Sequence, residues 1–328
     1  MYRLLCLILL SVSLLASAAP SGELTLQGYQ RADGAITVRL NGDTVDPYFA
    51  SKALLGAADA RLDAKKAALA WIDWALAHQS ADGRFDRFCL RSGRYVACAT
   101  ADADDAMLAV WMELLVRFAP AGGLPRAWDA SLQKASTYLF RLYDRQSGVF
   151  VISRTLPIAL LMDNVEVYSA FRALARYHFE RGNDALARLW ITRADQLQVS
   201  VNRVFWSPPK QFRVSTQQRS TSAFYPDTVA QIFPVLADLP IPGKSRSEAY
   251  AEWMAANRDT WLRQATDDFP WGMVALLSDK MGDRKTIACW RARAVPFRHG
   301  THWNVLEEAL YLAFEARLSS EEKLAPAC

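Results

Sequence analysis

Two kinds of helix-forming segment alternate along most of this chain. Segments such as 49–55 and 273–277 are rich in small and apolar residues, and a helix that is apolar on most sides must be buried on most sides. The segments between them carry a charged face, as 246–264 does with Glu248 and Arg258, which is typical of helices at a protein surface. The alternation therefore predicts inner helices enclosed by outer helices.

The number and order of these segments predict a closed ring. Six apolar and five amphipathic segments alternate over residues 46–328, so we predict an all-α fold, an (α/α)6 toroid that lacks one outer helix. The C-terminal tail or the N-terminal segment would cover the gap, and an open helical solenoid is the alternative architecture. The predicted helices span 47–60, 63–79, 103–119, 125–143, 163–181, 184–204, 226–238, 246–264, 270–281, 284–295 and 302–318.

The N-terminus has the composition of an export signal. Residues 1–18 combine Arg3 with an apolar stretch and end in the small-residue motif ASA, which predicts a cleaved signal peptide. No later apolar run is long enough to cross a bilayer. We therefore expect a periplasmic or secreted protein with no stable membrane span after cleavage.

Residues 19–45 form a separate predicted segment, a short β-hairpin. The stretches 24–30 and 35–40 alternate or favour strand, and Asp33-Gly34 supplies the turn between them.

Four cysteines follow the signal peptide, and an even number in an oxidising compartment favours disulfides. Cys89 and Cys98 flank a short loop and are predicted to pair. Cys289 with Cys328 would then attach the C-terminal tail to a helix. A metal site is the alternative, but no histidine lies at ligand spacing from either pair, so we predict no metal and no cofactor.

Acidic residues cluster where the apolar segments begin. An Asp at a helix start caps free N–H groups and suits the helix dipole, but this explains one carboxylate better than three adjacent ones, which repel one another and raise a pKa. If the inner helices begin at the same end of the ring, these carboxylates meet at one mouth. The residues are Asp46, Asp102, Asp104, Asp105, Asp163, Glu166 and Asp227.

Aromatic residues accompany the acidic ones. Tryptophan and tyrosine rings offer a flat apolar face with a polar edge, which suits stacking on sugar rings. Packing in the core is the alternative for each of them. The candidates for substrate binding are Tyr48, Phe85, Tyr225, Trp271 and Trp303.

Two of the acidic motifs resemble those of the six-hairpin glycosidases, most closely the family-8 glycoside hydrolases. The segment 99–108, ATADADDAML, is similar to the family motif ATDAD followed by an apolar inner helix. The segment 224–228, FYPDT, resembles the later Tyr-Asp helix start that holds the family's general base. The resemblance implies an α/α toroid with a polysaccharide groove across one end, and an inverting hydrolase that needs no cofactor.

The resemblance assigns roles residue by residue. Asp227 would be the general base, and Asp102 or Asp104 would hold the distorted sugar. The family's acid is a Glu in a Ser-Glu-Gly motif, whereas this chain has DPYF at 46–49, so Asp46 is the acid by default. The acidic motif also has one extra residue, Pro226 interrupts the Tyr-Asp motif, and the Arg that usually follows is absent. Asp105, Asp163 and Glu166 are either catalytic or structural.

Three functional hypotheses follow. The first is an exported glycoside hydrolase acting on a β-linked polysaccharide or oligosaccharide. The second is a non-catalytic polysaccharide-binding scaffold of an exopolysaccharide system, with the machinery of that system as partners. The third is an enzyme resembling class II terpene cyclases, whose DxDD acid is similar to residues 102–105. The net charge of +4 is small and forms no basic stripe, so we expect no nucleic-acid partner.

Overall fold

The computed structural model describes residues 22–207, 211–217, 222–324 and 328. The predicted signal peptide, residues 1–18, lies outside the described residues. None of the helices in the described ranges is both long and apolar enough to span a bilayer. These ranges contain twelve α-helices: α1 Pro47–Asp59, α2 Lys65–His78, α3 Asp104–Arg117, α4 Arg126–Leu139, α5 Leu161–Phe179, α6 Asp184–Phe205, α7 Ile232–Leu236, α8 Arg246–Trp261, α9 Gly272–Lys280, α10 Arg284–Ala294, α11 Val305–Glu315 and α12 Ser320–Leu324.

The odd-numbered helices form a closed inner ring. Each contacts the next odd-numbered helix, and α11 returns to contact α1. In the inner helix α9 every residue from Gly272 to Ser278 is buried, whereas the outer helix α8 buries only Trp253, Met254 and Trp261. The predicted all-α toroid of alternating inner and outer helices is therefore confirmed, and the open solenoid is excluded.

The short helix α12 occupies the place of the sixth outer helix. It packs against α10, and Cys328 beyond it forms a disulfide with Cys289 of α10, with an S–S distance of 2.16 Å. The predicted pairing is confirmed, and the C-terminal tail covers the gap in the outer layer as expected.

The N-terminal segment departs from the predicted hairpin. A turn at Asp33-Gly34 is present, but only one bridge, between Gln30 and Ile36, flanks it. The rest of 24–30 and 35–40 consists mostly of turns and bends, so the prediction of two strands is corrected. The alternation of apolar residues serves burial here, because Leu24, Leu26, Tyr29, Ala35 and Ile36 all lie in the core.

Short strands lie in several of the segments that precede or connect the helices. The largest sheet joins β1, β2 and β3 in that order, and the disulfide between Cys89 and Cys98 links β2 to β3 with an S–S distance of 2.03 Å, as predicted. Strand β3 leads into α3 and its acidic start. The strands are β1 Thr44–Val45, β2 Asp86–Arg91, β3 Arg94–Thr100, β4 Tyr143–Asp144, β5 Val149–Phe150, β6 Trp206–Ser207 and β7 Gln211–Phe212.

The predicted helix 226–238 is broken into short turns. Helical turns over 224–231 precede α7, which contains only five residues. Proline has no N–H to donate and is tolerated only in the first turn of a helix. Pro234 occupies the third position of α7, so the α-helix cannot begin much earlier than Ile232.

Candidate functional site

The inner helices bring several of the predicted residues together at one end of the toroid. Burial is the largest cause that raises the pKa of Tyr225 to about 12. The nearby carboxylates of Asp163, Asp102 and Glu166 add to this increase, so the four side chains lie close together. We call this end the mouth and define it by residues that interact with one another there. They are Tyr48, Asp46, Asp102, Asp105, Asp163, Glu166, Tyr225 and Trp271.

Asp46 is the N-cap of α1 and is held by an arginine. One of its carboxylate oxygens accepts the N–H of Tyr48 at 3.0 Å, and the other accepts Arg87 Nε at 2.8 Å. Burial raises the pKa of Asp46, and Arg87 opposes this increase. Arg87 Nη2 also lies 3.6 Å from Asp102, whose side chain is 88% exposed. Arg87, which the sequence analysis missed, thus joins the two carboxylates across the rim.

Asp105 and Asp163 form a buried pair of carboxyl groups at the starts of α3 and α5. Neither side chain caps its helix at the N-cap position. Each has one oxygen, Oδ2, with no hydrogen-bond partner among the described residues. Burial raises the pKa of Asp105 to about 7, with contributions from the charges of Glu166 and Asp104. Burial also raises the pKa of Asp163 well above its usual range, and the charges of Asp105 and Glu166 add to this increase. The surroundings of Asp163 therefore favour its protonated form at neutral pH.

The capping explanation for the start of α5 does not apply. Asn164, between the two acids, fixes this turn instead, because its amide accepts the N–H of Phe150 at 2.7 Å and donates to the Phe150 carbonyl at 2.9 Å. Asp163 and Glu166 are therefore buried acids that the helix start does not require. A buried acid without a structural task is a candidate functional group.

Glu166 lies at the floor of the mouth. Its Oε1 accepts the Tyr48 hydroxyl at 2.7 Å and Lys52 Nζ at 2.5 Å, while Oε2 has no partner among the described residues. Burial and the carboxylate of Glu166 raise the pKa of Tyr48 above its usual range. Lys52 was missed by the sequence analysis. It is the one charged residue in the apolar helix α1 before Asp59, and it follows Tyr48 by four positions, on the same helix face.

Two aromatic rings form an exposed platform at the mouth. Tyr225 and Trp271 stack with centroids 5.0 Å apart and planes 25° from parallel, and Tyr225 is 46% exposed. Trp271 has a left-handed backbone conformation, with φ 53°. This conformation is unusual for a bulky residue, and such strained residues occur most often at functional sites. The Trp271 ring is also held by its Nε1, which donates to Asp268 at 3.2 Å.

A buried glutamate supports this platform from α11. Glu307 Oε2 accepts the N–H of Gly272 at 2.8 Å, and burial raises the pKa of Glu307 to about 8. A Cβ at position 272 would meet that same oxygen at 2.8 Å, so only glycine allows the contact. Glu307 and Asp268 were not predicted, since their role depends on the return of α11 to the start of α9.

Two of the aromatic candidates are core residues. Phe85 is 2% exposed and packs edge-on against Trp111, with centroids 5.1 Å apart. Trp303 is 1% exposed, and its Nε1 donates to Glu308 at 2.9 Å. Their rings are covered on both faces, so the expectation that they stack on sugar is corrected in favour of the core-packing alternative.

Two of the acidic candidates have their main partners outside the mouth residues. Asp104 is buried near Arg84 and the carboxylates of Asp82 and Asp86; burial raises its pKa and Arg84 opposes the rise. Asp227 accepts the N–H of Ala223 at 2.9 Å. It lines a different depression, with Arg213, Gln231 and Asn257. The sequence motifs place both acids at helix starts, but neighbouring starts do not direct all their side chains to one point.

Comparison with known proteins supports the fold. No protein-family model and no curated protein sequence matches the chain. The chain shares its toroidal fold with several solved structures of glycosidases. It is similar to an alpha-amylase from Clostridium perfringens, with a TM-score of 0.59 and 11% identity over 89% of this chain and 95% of that one.

Two further structures extend the similarity. A mannosylglycerate hydrolase from Thermus thermophilus in complex with glucose has a TM-score of 0.56 and 15% identity, over 88% of this chain and 97% of that one. A mutant of Rex8A from Paenibacillus barcinonensis complexed with xylose has a TM-score of 0.53 and 13% identity, over 88% and 86%. At these identities the similarity establishes the shared toroid, while the chemistry must be argued from the site.

Proposed function

We propose that this protein is an exported glycoside hydrolase that acts on a β-linked polysaccharide or its oligosaccharides at the mouth. The observation that carries the proposal is the buried carboxyl pair Asp105–Asp163, each with an oxygen unpaired among the described residues, beside the exposed platform of Tyr225 and Trp271. An aromatic platform binds the apolar face of a sugar ring. A carboxyl group that keeps its proton at neutral pH is the group that must protonate the leaving oxygen.

In this proposal Asp163 supplies the proton. Its carboxyl lies at the start of α5, close enough to Tyr225 to raise the pKa of that phenol, so a sugar stacked on Tyr225 brings its glycosidic oxygen toward Asp163. The charge of Asp105 raises the pKa of Asp163, so it helps to keep the proton on Asp163 until the proton is transferred to the leaving oxygen. The cation Lys52 compensates the remaining charge through Glu166.

The second carboxylate of the proposed mechanism is Asp102. Inverting hydrolysis needs a carboxylate that activates water on the opposite face of the sugar, and Asp102 is the exposed acid of the mouth. Asp46 is a weaker candidate for the acid than the sequence suggested, because its two oxygens already accept hydrogen bonds from the N–H of Tyr48 and from Arg87. Asp227 keeps its place as a candidate base only if the bond to Ala223 is released when a glycan binds.

The test is release of reducing sugar from β-glucans, xylan, chitosan and bacterial exopolysaccharides, with glycan binding measured in parallel. Asp163→Asn and Asp102→Asn should abolish turnover while the folded state and binding persist. Asp227→Asn should retain most of the turnover. Loss in Asp227→Asn with full activity in Asp163→Asn would return the catalytic centre to the family's Tyr-Asp position and refute the assignment made here.

A non-catalytic scaffold of an exopolysaccharide system is the second candidate. The ion pair of Arg87 with Asp46 and the bond of Asp227 to backbone favour it, because the two carboxylates at the positions expected of an acid and a base are both engaged. Saturable glycan binding without turnover on any substrate would support this candidate over the hydrolase.

The terpene-cyclase hypothesis is the least supported. It requires Asp104 at the end of a dry aromatic cavity, whereas Asp104 lies among Arg84, Asp82 and Asp86.

The two disulfides are compatible with the proposed location in the periplasm or outside the cell.

A further inference from the structure

A second cavity lies at the opposite end of the toroid from the mouth. It has a volume of about 350 Å³ and opens where α1, α3, α5 and α9 end. Volumes from about 300 Å³ upward are typical of small-molecule sites. Its charged lining residues are Asp59, Glu113, Arg117, Arg172, Arg176 and Lys280, together with Lys52, Glu166 and Asp238.

Part of this charge is internally compensated. Asp59 lies 3.2 Å from Arg117 and 3.0 Å from Lys280, and these pairs need no ligand. Arg172 and Arg176 are different: among the described residues neither has an ion-pair partner within 4 Å. They are one turn apart on α5, so both guanidinium groups project from the same face of that helix at the rim.

Glu113 is the feature that packing does not explain. It is a half-buried carboxyl on the apolar helix α3, and no side chain of the described residues donates a hydrogen bond to it. Burial and the charge of Asp59 raise its pKa to about 7, although Lys52, Arg117 and Lys280 oppose the rise. The oxygens of Glu113 are not among the fully enclosed atoms that lack a partner, so they are open to the cavity and free to accept hydrogen bonds from a bound molecule.

The helix dipole accounts for only some of these residues. Cations at helix C-termini are favourable, which explains Arg117 and Lys280 and contributes to the presence of Arg176. A carboxyl near the same negative helix ends is unfavourable by the same argument, so Glu113 requires another reason. A ligand that donates hydrogen bonds to Glu113 supplies one.

We propose that this cavity binds an anionic monosaccharide, a sugar that carries a carboxylate or a phosphate group. Arg172 and Arg176 hold the anionic group at the rim, where bidentate contacts from guanidinium favour both carboxylate and phosphate. Glu113 accepts hydrogen bonds from the sugar hydroxyls inside. Leu55, Phe233 and Met273 form the apolar wall against which the ring lies.

The site is distinct from the mouth and does not depend on the proposed hydrolase activity. Lys52 and Glu166 stand between the two, because Glu166 accepts the Tyr48 hydroxyl of the mouth while both residues also line the cavity. A glycan at the mouth and a small anion in the cavity therefore occupy different volumes of the same toroid.

Isothermal titration calorimetry of the full folded chain at neutral pH tests the proposal. The probes are glucuronate, glucose 6-phosphate, uncharged glucose and inorganic phosphate. We expect saturable binding of glucuronate, of glucose 6-phosphate or of both. The tighter of the two shows whether the cavity prefers a carboxylate or a phosphate group. Glucose and inorganic phosphate alone should bind at least about tenfold more weakly, since each makes half of the contacts.

Variants locate the binding. The double variant Arg172→Gln/Arg176→Gln should weaken the anionic sugar by at least about tenfold, as should Glu113→Gln for either sugar. Arg188→Gln, an exposed arginine on the outer helix α6, and Tyr225→Ala at the mouth should leave this affinity unchanged. The proposal is overturned if neither sugar binds, if inorganic phosphate binds equally well, or if the Arg172/Arg176 variant binds like the wild type. Loss of binding in Tyr225→Ala alone would assign the ligand to the mouth instead.

Discussion

The two ends of the toroid differ in the charges that the inner helices place there, although α1 has an Asp at both of its ends. Helices α1, α3 and α5 begin with Asp46, Asp105 and Asp163 at the mouth, and α3, α5 and α9 end with Arg117, Arg176 and Lys280 around the cavity. The helix dipole favours this arrangement at both ends. The sign of a charge therefore says little about function here, and the informative residues are the buried ones that lack a partner.

The two ends also differ in the neighbours of their buried carboxyl groups. At the mouth, Asp105 and Asp163 lie close together, and burial raises the pKa of both. In the cavity, burial and the charge of Asp59 raise the pKa of Glu113, although three cations oppose the increase. The first arrangement suits proton donation to a substrate, and the second suits acceptance of hydrogen bonds from a ligand. Four changes separate these interpretations, and they are ordered by the size of the expected effect.

Removing the carboxyl proton of Asp163 should have the largest effect on turnover. Asp163→Asn keeps the shape and donates an amide hydrogen bond to Asp105, but it has no proton to transfer. Turnover should fall by about 10²–10⁴-fold, measured as reducing-sugar release at substrate saturation. Far-ultraviolet circular dichroism and an unchanged unfolding midpoint serve as controls for folding. Full activity in this variant would exclude Asp163 as the acid.

Breaking the ion pair at the floor of the mouth should have the next largest effect. Lys52→Ala leaves Glu166 buried without its cation, which costs about 3–5 kcal/mol of unfolding free energy. Urea denaturation measures the loss. Lys66→Ala is the matched control, because its pair with Glu23 is exposed and should contribute less than about 1 kcal/mol. Equal effects of the two variants would mean that the interior pair is not desolvated.

Replacing the carboxyl of the cavity should change how stability depends on pH. The pKa of Glu113 is about 7 in the folded protein against 4.5 for the free side chain, so the folded state binds its proton more tightly. Stability from this group is present below about pH 4.5 and is lost as pH rises through 7. Glu113→Gln should therefore be more stable than the wild type at pH 8, by about 1–2 kcal/mol after allowing for solvent in the cavity.

The two proteins should approach each other in stability near pH 5, because Glu113 is then protonated in the folded wild type. Urea denaturation at the two pH values measures this difference. An equal difference at both pH values would mean that the titration of Glu113 does not contribute.

Removing one ring of the platform should have the smallest effect. Tyr225→Ala leaves Trp271 without its stacked partner and should weaken glycan binding by about threefold to tenfold, as expected for loss of roughly 1 kcal/mol of aromatic contact. Affinity electrophoresis on polysaccharide gels measures the change. Phe85→Leu, a conservative change in the core, should not alter glycan affinity, and a comparable loss there would contradict the assignment of the platform.

Much of the fold was predictable from the chain because the signals are periodic and repeated. The alternation of 273–277 with segments like 246–264 defined the inner and outer layers, and the helix boundaries agree closely for most elements. The prediction failed where short-range chemistry dominates. Pro226 and Pro234 break the predicted seventh helix into turns, and the apolar residues of the N-terminal segment are buried by turns instead of strands.

The site was only partly predictable, for a geometric reason. Sequence places Asp104 and Asp105 side by side at one helix start, but successive residues of a helix point about 100° apart. Asp105 consequently faces Asp163, and Asp104 faces Arg84. Lys52 and Glu113 had a visible signal, a lone charge in an apolar helix. Arg87, Asp268 and Glu307 had none, because each reaches its partner only after distant segments have met.

The ion pair of Lys52 with Glu166 has a consequence for how long chains are handled. Glu166 accepts the Tyr48 hydroxyl of the mouth, and both members of the pair line the cavity, so we infer that the pair separates the mouth from the cavity along the axis of the ring. A polymer cannot be threaded through it. In the proposed hydrolase, the product therefore leaves by the opening through which the substrate entered. Its release past the rings of Tyr225 and Trp271 is then expected to limit the rate of turnover.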